Sequence, residues 1–183
     1  MNNYQKQLEE EVLSFKKKAE SKTLQRFTNK IRSTNRLTRD LDSDEHICVF
    51  FLPYNRESRS IFLVNHIKAN SWIPPGGHIE QFEDPKMSVL REFEEELGHK
   101  IDIIQISPYA MTVIDISDNK RNTCKKHYDF WYLVNTPIIN YKYLKREFYE
   151  GRWFKIDDAC KIISVPLYVK TVRSLCKQDM TTR

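Results

Sequence analysis

The glycines of this chain are few and unevenly placed. Only four occur among 183 residues, and three of them lie between residues 76 and 98. Glycine adopts backbone conformations that other residues avoid, so a chain that concentrates its glycines has unusual backbone needs there. Asp84 and Pro85 suit the start of a helix, and Gly98 suits the position just past its end. The stretch therefore predicts a flexible turn and then a helix over residues 85–97.

The predicted helix carries an acidic face beside its apolar face. Glu92, Glu95 and Glu96 are neighbours on it, because side chains three and four positions apart meet on a helix. Carboxylates this close repel one another, and the helix dipole disfavours negative charge near the C-terminal end of a helix. A hard divalent cation would resolve the conflict, since it prefers carboxylate and carbonyl oxygens. The turn at Gly76 and Gly77 follows two prolines and lets the backbone aim a carbonyl at such an ion.

Strand-type segments surround this helix. Apolar, β-branched and aromatic residues form short runs, and the polar residues 54–59 between the first two runs predict a hairpin. The expected strands are residues 47–53, 60–66, 72–73, 101–106, 109–116, 128–134 and 152–156. A polar loop is expected between the fifth and sixth of these, over 117–126, and helical segments from 157 and over 165–176. Because strands and helices do not alternate strictly, we expect a mixed sheet with helices on its faces.

The N-terminal quarter of the chain differs from the rest, because residues 1–45 contain no glycine, proline or cysteine. One or two amphipathic helices are expected here, with an interruption at residues 21–23 if there are two. Their apolar stripes are Leu8, Val12, Phe15 and Ala19, then Leu24, Phe27 and Ile31. We therefore divide the chain into an N-terminal helical extension, residues 1–45, and one domain, residues 46–183. The stripes must be buried on the domain, over a substrate cleft or between the subunits of a homodimer. Basic residues of the extension are interleaved with acidic ones, so nucleic acid is not the expected partner.

Residues 77–99 resemble the Nudix box, G-x5-E-x7-R-E-U-x-E-E-x-G-U, where U is a bulky aliphatic residue. Every fixed position is matched, by Gly77, Glu83, Arg91, Glu92, Glu95, Glu96 and Gly98. Phe93 fills the first U position as a bulky apolar residue, whereas His99 departs from the pattern at the last one. We expect Ile101 to take over the packing at that end of the helix. The segments WIPPGGHIE and EGRWF are also common in Nudix domains, so the chain is identified as a member of the Nudix hydrolase family.

The resemblance implies a fold, a reaction and a set of ligands. The fold would be an α/β/α sandwich around a mixed β-sheet, with the helical extension outside it. The reaction would be hydrolysis of a pyrophosphate linkage in a nucleoside diphosphate linked to another group, with Mg²⁺ or Mn²⁺ present. The implied metal ligands are Glu92, Glu95, Glu96 and the carbonyl of Gly76. Glu95 is either a ligand or the residue that activates water, Arg91 is expected to orient the carboxylates through a bidentate pair, and Glu83 to support the loop.

The motif leaves the catalytic base and the substrate open. In several Nudix enzymes the base lies outside the box, and three acids are candidates here: Glu147, Glu150 and Asp129. Aromatic residues could stack on a nucleobase, although core packing is the expected role for most of them: Trp72, Tyr109, Trp131 and Phe148. His78 is a candidate phosphate contact. Nucleotide sugars, dinucleoside polyphosphates, oxidised nucleotides, dinucleotides and capped RNA all stay open as substrates.

Two other functions are compatible with the motif. A Nudix-like regulator would sense a nucleotide without catalysis, but such domains often lose acids of the box, and this chain retains them all. An RNA-directed, cap-type pyrophosphohydrolase would use the basic residues of the extension to hold RNA. The acidic residues among them disfavour this alternative.

The cysteines and the apolar runs indicate where the protein works. Cys48, Cys124, Cys160 and Cys176 form no C-x-x-C pair and have no spacing typical of a zinc site, so reduced thiols are expected. The longest apolar runs are strand-sized, and the N-terminus lacks the pattern of a secretory signal. We therefore expect a cytoplasmic enzyme with a small-molecule substrate and no membrane partner.

Overall fold

The computed structural model describes residues 1–116 and 124–178. Its helices are α1 (Asn3–Ser14), α2 (Ser21–Ser33), α3 (Pro85–Leu97), α4 (Ile156–Ile162), α5 (Pro166–Arg173) and α6 (Leu175–Gln178). Its strands are β1 (Glu45–Asn55), β2 (Ser60–His66), β3 (Ser71–Ile73), β4 (Gly76–His78), β5 (Ile106–Asp115), β6 (Lys126–Asn135) and β7 (Phe148–Lys155). Among these helices, none is both long and apolar enough to cross a bilayer.

The strands form one mixed sheet, as predicted. Its order is β3-β2-β1-β6-β5, with β4 also paired to β1 and β7 to β2. Strands β1 and β6 run parallel, with Val49 opposite Phe130, whereas the other pairings are antiparallel. The predicted hairpin is the β1–β2 pair. At its other end β1 pairs with β4, which places the glycine turn on the central strand of the sheet.

One face of the sheet is covered by the N-terminal helices and by α3. The ring of Phe15, just after α1, lies 5.4 Å from the rings of Phe130 and Tyr132 on β6. Phe93 of α3 lies 5.2 Å from Phe51 of β1. All five side chains are fully buried. The extension and α3 therefore share one apolar layer.

The opposite face is covered by the C-terminal helices. Tyr168 of α5 packs 5.1 Å from Phe50 and 5.0 Å from Trp131, measured between ring centroids. Side chains alternate between the two faces along a strand, so Phe50 and Phe51 point in opposite directions. Helices on both faces of a mixed sheet confirm the predicted α/β/α sandwich.

The extension forms a helical hairpin that is tied together by Gln5. The side-chain amide of Gln5 donates to the carbonyls of Ile31, at 2.6 Å, and Thr34, at 3.0 Å. The first stripe was predicted to run to Ala19 in one helix, and this is wrong because α1 ends at Ser14 and the chain turns before α2. The stripe residues are nevertheless buried on the sheet or packed against it.

The strand predicted at residues 101–106 is also wrong. Residues Ile103–Gln105 form a 3₁₀ helix, and β5 begins only at Ile106. The side chain of Asp102 accepts a hydrogen bond from the Ile104 amide at 3.1 Å, which favours a turn over an extended chain. The predicted helix over 165–176 is divided into α5 and α6. Most of the predicted polar loop, residues 117–126, lies outside the described residues.

Candidate active site

Helix α3 has the bounds that its sequence predicts, because both of its ends are specified locally. The side chain of Asp84 accepts hydrogen bonds from the amides of Lys86, at 2.8 Å, and Met87, at 3.3 Å. Gly98 ends the helix in the left-handed conformation, with φ of 63°. This capping fixes where along the helix each acidic residue faces the sheet.

The glycine turn lies directly against the acidic face of α3. Gly76 has φ of 153°, and a Cβ built on it would lie 2.2 Å from the Val49 carbonyl oxygen. A Cβ on Gly77 would lie 2.0 Å from Oε1 of Glu92. Any other residue at these positions would displace the backbone or the carboxylate. The two glycines therefore allow the contact between β4 and the acids.

Glu96 is the most enclosed of the three acids on the acidic face of α3. It is 3% exposed, and its Oε2 accepts a hydrogen bond from the Gly76 amide at 2.9 Å. Burial and the nearby charge of Glu92 raise the pKa of Glu96 well above its usual range, although the bond from Gly76 opposes this. A negative charge at Glu96 therefore needs a compensating positive charge.

Glu92 and Glu95 differ in exposure although both belong to the motif. Burial raises the pKa of Glu92 to about 7, against the opposing effect of Arg91. The side chain of Glu95 is 58% exposed, and Arg91 donates to it at 3.4 Å. The acidic face thus has a buried part, Glu92 with Glu96, and a solvent-facing part, Glu95.

Arg91 joins the loop to the acidic face. Its guanidinium makes a bidentate pair with Glu83, at 2.8 and 2.9 Å, and donates to Glu92 at 2.9 Å. It also donates to the carbonyl of His78 at 3.1 Å. The bidentate partner is Glu83, so Arg91 anchors the carboxylate of Glu92 to the loop before the helix.

The three candidate bases lie in different surroundings. Glu147 is close enough to the box for its charge to raise the pKa of both Glu92 and Glu96. Its segment is held there because the Leu144 amide donates to the Glu96 carbonyl at 2.8 Å. The carboxylate of Glu150 instead pairs with the guanidinium of Arg152 at 2.7 Å.

The third candidate, Asp129, is completely buried within the sheet. Its Oδ2 accepts a hydrogen bond from the hydroxyl of Thr112 on β5 at 2.8 Å, and burial raises its pKa to about 7. His127 lies two positions before Asp129 on the same face of β6, and their side chains approach to 4.0 Å. His78 lies in the same region, with its ring 5.7 Å from that of His127.

The aromatic candidates are mainly structural, as expected. Tyr109, Trp131 and Phe148 are fully buried in the core. Trp72 is partly buried and packs against Phe154, with the guanidinium of Arg152 5.2 Å above its ring.

His99, at the atypical last position of the box, packs beside the helix end. Its ring lies 6.4 Å from Phe93 and 5.9 Å from Tyr141. Ile101 is also packed against the core, as expected. The departure from the pattern therefore leaves the helix end packed.

The structure contains one polar cluster that was not predicted from the sequence. His46, Cys48, His78 and His127 meet on the sheet, and His78, the one member that lies within the box, is not part of its acidic face. The signal present in the sequence is alternation, since His46 and Cys48, like His127 and Asp129, are two positions apart on a strand. Without the pairing of the strands, that signal does not show that the groups meet.

Comparison with known proteins places the chain in a family. A family model described as NUDIX domain matches residues 8–173. The fold resembles an E. coli dihydroneopterin triphosphate pyrophosphohydrolase, with a TM-score of 0.61, 13% identity and coverage of 70% of this chain and 92% of the other. It also resembles a MutT protein from Methanosarcina mazei Go1, with a TM-score of 0.57, 20% identity and coverage of 74% of this chain and 96% of the other. A third similar structure is a C. elegans Ap4A hydrolase, with a TM-score of 0.55, 18% identity and coverage of 71% of this chain and 96% of the other. Among curated proteins, no sequence matches the chain significantly.

The family match covers most of the chain and includes most of the extension. The chain therefore belongs to the Nudix family, and it is a Nudix hydrolase, an enzyme of the pyrophosphohydrolase type. The structural neighbours share less than a quarter of their residues with it, so they establish the fold and leave the substrate open.

Proposed function

We propose that this enzyme hydrolyses the pyrophosphate linkage of a nucleoside diphosphate linked to another group, with Mg²⁺ or Mn²⁺ as its cofactor. The observation that supports this best is the contact between the glycine turn and two enclosed carboxylates. The Gly76 amide holds Glu96, and the missing side chain of Gly77 makes room for Glu92. The arrangement holds Glu92 and Glu96 so close together that a negative charge on one of them disfavours a negative charge on the other.

The donor set fits a hard divalent cation. Burial and mutual repulsion disfavour the charged forms of Glu92 and Glu96, and a bound cation would offset both effects. We assign Glu92, Glu95, Glu96 and the carbonyl of Gly76 as its ligands. When bound, the cation supplies neutralisation of the phosphate charge and a lower pKa for bound water.

The chain's own groups then orient the ligands and accept a proton. Arg91 is proposed as a positioning residue, because it links Glu92 to the loop through its bidentate pair with Glu83. Glu147 is proposed as the base that takes the proton from the attacking water, with solvent-facing Glu95 as the alternative. Glu150 is less suited because Arg152 engages its carboxylate at 2.7 Å, more closely than Arg146 approaches Glu147 at 3.7 Å. Asp129 is less suited because it is enclosed in the sheet.

The extension, residues 1–45, is proposed to serve the domain, residues 46–183, as a cover for the sheet. Phe15 and Phe27 lie against Phe130 of β6, at 5.4 and 4.9 Å between ring centroids, so apolar surface of both stripes is buried within one chain. This use of the stripes favours a small nucleotide substrate over an RNA held by the extension. It also makes a role in covering the sheet more favourable than a role in the contact between the subunits of a homodimer.

The proposed reaction can be tested on a panel of diphosphate substrates. Nucleotide sugars, dinucleoside polyphosphates, dinucleotides, oxidised nucleoside triphosphates and capped RNA would be incubated with Mg²⁺, Mn²⁺ or a chelator, in ¹⁸O-labelled water. We expect one class to be cleaved in a metal-dependent reaction, with ¹⁸O in one phosphate product. Tight binding without turnover would instead indicate the sensing function, and cleavage of capped RNA alone the RNA-directed one. Turnover that survives the chelator would contradict the assigned metal role.

A further inference from the structure

A second group of potential metal ligands lies outside the acidic face of the box. It consists of His46 and Cys48 on β1, His78 on β4 and His127 on β6, and we call it the His–Cys cluster. One ligand atom from each residue can be chosen so that all four lie within 4.8 Å of one another. The set contains nitrogen and sulfur donors only, whereas the box offers oxygen.

The pairing of the strands brings these residues together. His46 is opposite His127 in the parallel β1–β6 pair, and Cys48 is opposite His78 in the antiparallel β1–β4 pair. Residues two apart on a strand share a face, so His46 and Cys48 point the same way. The ring centroids of His46 lie 4.8 Å from His78 and 5.0 Å from His127. Hydrogen bonding within three strands therefore holds the cluster in place.

Polar atoms at the cluster are left without partners. Nδ1 of His46 bonds to the carbonyl of Asp42 at 2.8 Å, which leaves Nε2 as the free ring nitrogen. Within the described part of the chain, Nε2 of His46, Nε2 of His127 and Oδ1 of Asp129 are buried and have no hydrogen-bond partner. Native interiors rarely leave such atoms unsatisfied, and each instance calls for an explanation. A histidine held at Nδ1 by a backbone carbonyl is also the usual arrangement of a metal-binding imidazole.

Burial affects the nitrogen and sulfur ligands of the cluster in opposite ways. It lowers the pKa of His46 and His127, which favours the neutral imidazole that binds metals. It raises the pKa of the Cys48 thiol, so the metal must displace the thiol proton in order to bind. Asp129 adds a second acidic group beside Cys48 on the neighbouring strand. The charge of a divalent cation would be balanced by the Cys48 thiolate and the Asp129 carboxylate, so the buried site would be neutral overall.

We propose that the His–Cys cluster binds one Zn²⁺ ion through His46, Cys48, His78 and His127. Three imidazoles and one thiolate suit a tetrahedral zinc site with four protein ligands. Tetrahedral coordination at usual bond lengths separates the ligand atoms by about 3.3–3.6 Å. Small side-chain rotations, moving atoms by about 1 Å, would close the observed separation to this value. Cys48 loses its proton when the metal binds, and the proton is released to solvent.

The site would clamp the turn that carries the box glycines. His78 directly follows Gly77, and β1 carries two other ligands of the cluster. A closed site with no position for substrate would act on structure, holding β4 against β1 and β6. Its occupancy is independent of whether the box binds Mg²⁺ as proposed.

Cobalt substitution tests the assignment on the full-length protein. Metal-stripped protein would be titrated with Co²⁺ in excess Mg²⁺, which competes for the oxygen ligands of the box. We expect one Co²⁺ per chain, the intense visible absorption of a tetrahedral ion, a thiolate-to-cobalt band in the near ultraviolet, and displacement by one equivalent of Zn²⁺. Absence of these bands, or absorption without the thiolate band, would overturn the proposal and leave a packed histidine cluster only.

Matched variants separate this site from its neighbours. In Cys48→Ser the thiolate band should disappear and the affinity for Co²⁺ should fall by about 100-fold or more. Cys124→Ser is the control, because its sulfur lies 4.0 Å from Nε2 of His78 but is outside the proposed set. Glu96→Gln should also retain the band. A band that survives in Cys48→Ser or disappears in Cys124→Ser contradicts the ligand set. If Cys48→Ser fails to fold, His127→Gln and the zinc content of the wild-type protein by native mass spectrometry decide the same question.

Discussion

The acidic face of the box and the His–Cys cluster share β4 but are built in opposite ways. The acids lie on one helix, and Gly76, the backbone partner of Glu96, is twenty residues away from it along the chain. The His–Cys cluster draws on three strands, and its members extend from residue 46 to residue 127. The first arrangement follows from helical spacing, and the second follows from strand register. Sequence spacing can therefore indicate the first arrangement and cannot establish the second.

The two clusters also differ in charge, and this separates the ions that they suit. Burial raises the pKa of Glu92 and Glu96, so the acidic face stores repulsion that a hard cation would relieve. Burial lowers the pKa of the cluster's histidines, so those rings are neutral donors for a softer ion. Perturbations of either cluster should leave the other one intact unless they disturb the shared sheet.

The largest expected effect comes from a change that disturbs the shared sheet. On β6, Phe130 faces the extension, while His127 and Asp129 face the opposite side. Each buried large side chain contributes about 1.5–3 kcal/mol, and four such residues of the extension together approach the full stability of a domain. A chain that begins at Asp42 should therefore aggregate and lose both clusters, as measured by light scattering after size exclusion.

Point variants grade this first prediction. Phe15→Ala should lower the free energy of unfolding by about 3–5 kcal/mol, because it leaves a cavity against β6. Leu13→Ala is the control, since Leu13 is 66% exposed and should change it by less than about 0.5 kcal/mol. Equal effects of the two variants, or a soluble monomeric truncated chain, would contradict the role of the extension as a cover.

The second expected effect is confined to the acidic face. Glu96→Gln keeps the shape and the bond from Gly76 but removes a charge, so hydrolysis should fall by about a thousandfold, equivalent to about 4 kcal/mol. The apo-protein should melt at an equal or higher temperature, because an amide costs less to bury than a carboxylate.

A control for this variant lies on the same helix. The carboxylate of Glu94 is 52% exposed and pairs with Lys100 at 3.3 Å, so Glu94→Gln should retain activity. Steady-state kinetics and thermal melts of both variants test the contrast. Near-wild-type turnover in Glu96→Gln would exclude Glu96 as an essential ligand.

Residues whose structure depends on near neighbours were predictable from the sequence. Asp84, Pro85 and Gly98 predict the observed bounds of α3, because each end is capped by adjacent groups. The same local chemistry explains why the strand predicted at residues 101–106 is wrong, because the side chain of Asp102 favours a turn within that apolar run. The influence of the Glu147 charge on the box depends on how distant segments pair, and so does the assembly of the His–Cys cluster. No spacing along the sequence could predict either one.

The third prediction compares two acids on the same part of the chain. The charge of Glu147 raises the pKa of Glu92 and Glu96, whereas the carboxylate of Glu150 is paired with Arg152. A general base contributes at least about a hundredfold, so Glu147→Gln should lower kcat by about that factor with little change in KM. Glu150→Gln should remain within about twofold of wild type. If the two variants have equal kcat values, Glu95 becomes the better candidate for the base.

The smallest of the four effects should come from Arg91→Lys. Lysine keeps the charge but cannot make the bidentate pair with Glu83 while also holding Glu92, so the carboxylate loses its fixed orientation. Partners that orient metal ligands are worth about 10–100-fold, and we expect the lower part of this range in kcat/KM. A merely structural role would lower stability at every Mg²⁺ concentration alike. A positioning role predicts a weaker apparent affinity for Mg²⁺ and partial recovery of kcat at high Mg²⁺.

Arg32→Lys, which alters an exposed pair with Glu9, is the matched control and should change neither the affinity for Mg²⁺ nor kcat. The thiolate-to-cobalt band of the His–Cys cluster should also persist in Arg91→Lys. If it disappears, the two clusters are coupled through the bond from Arg91 to the His78 carbonyl, and they are not independent sites.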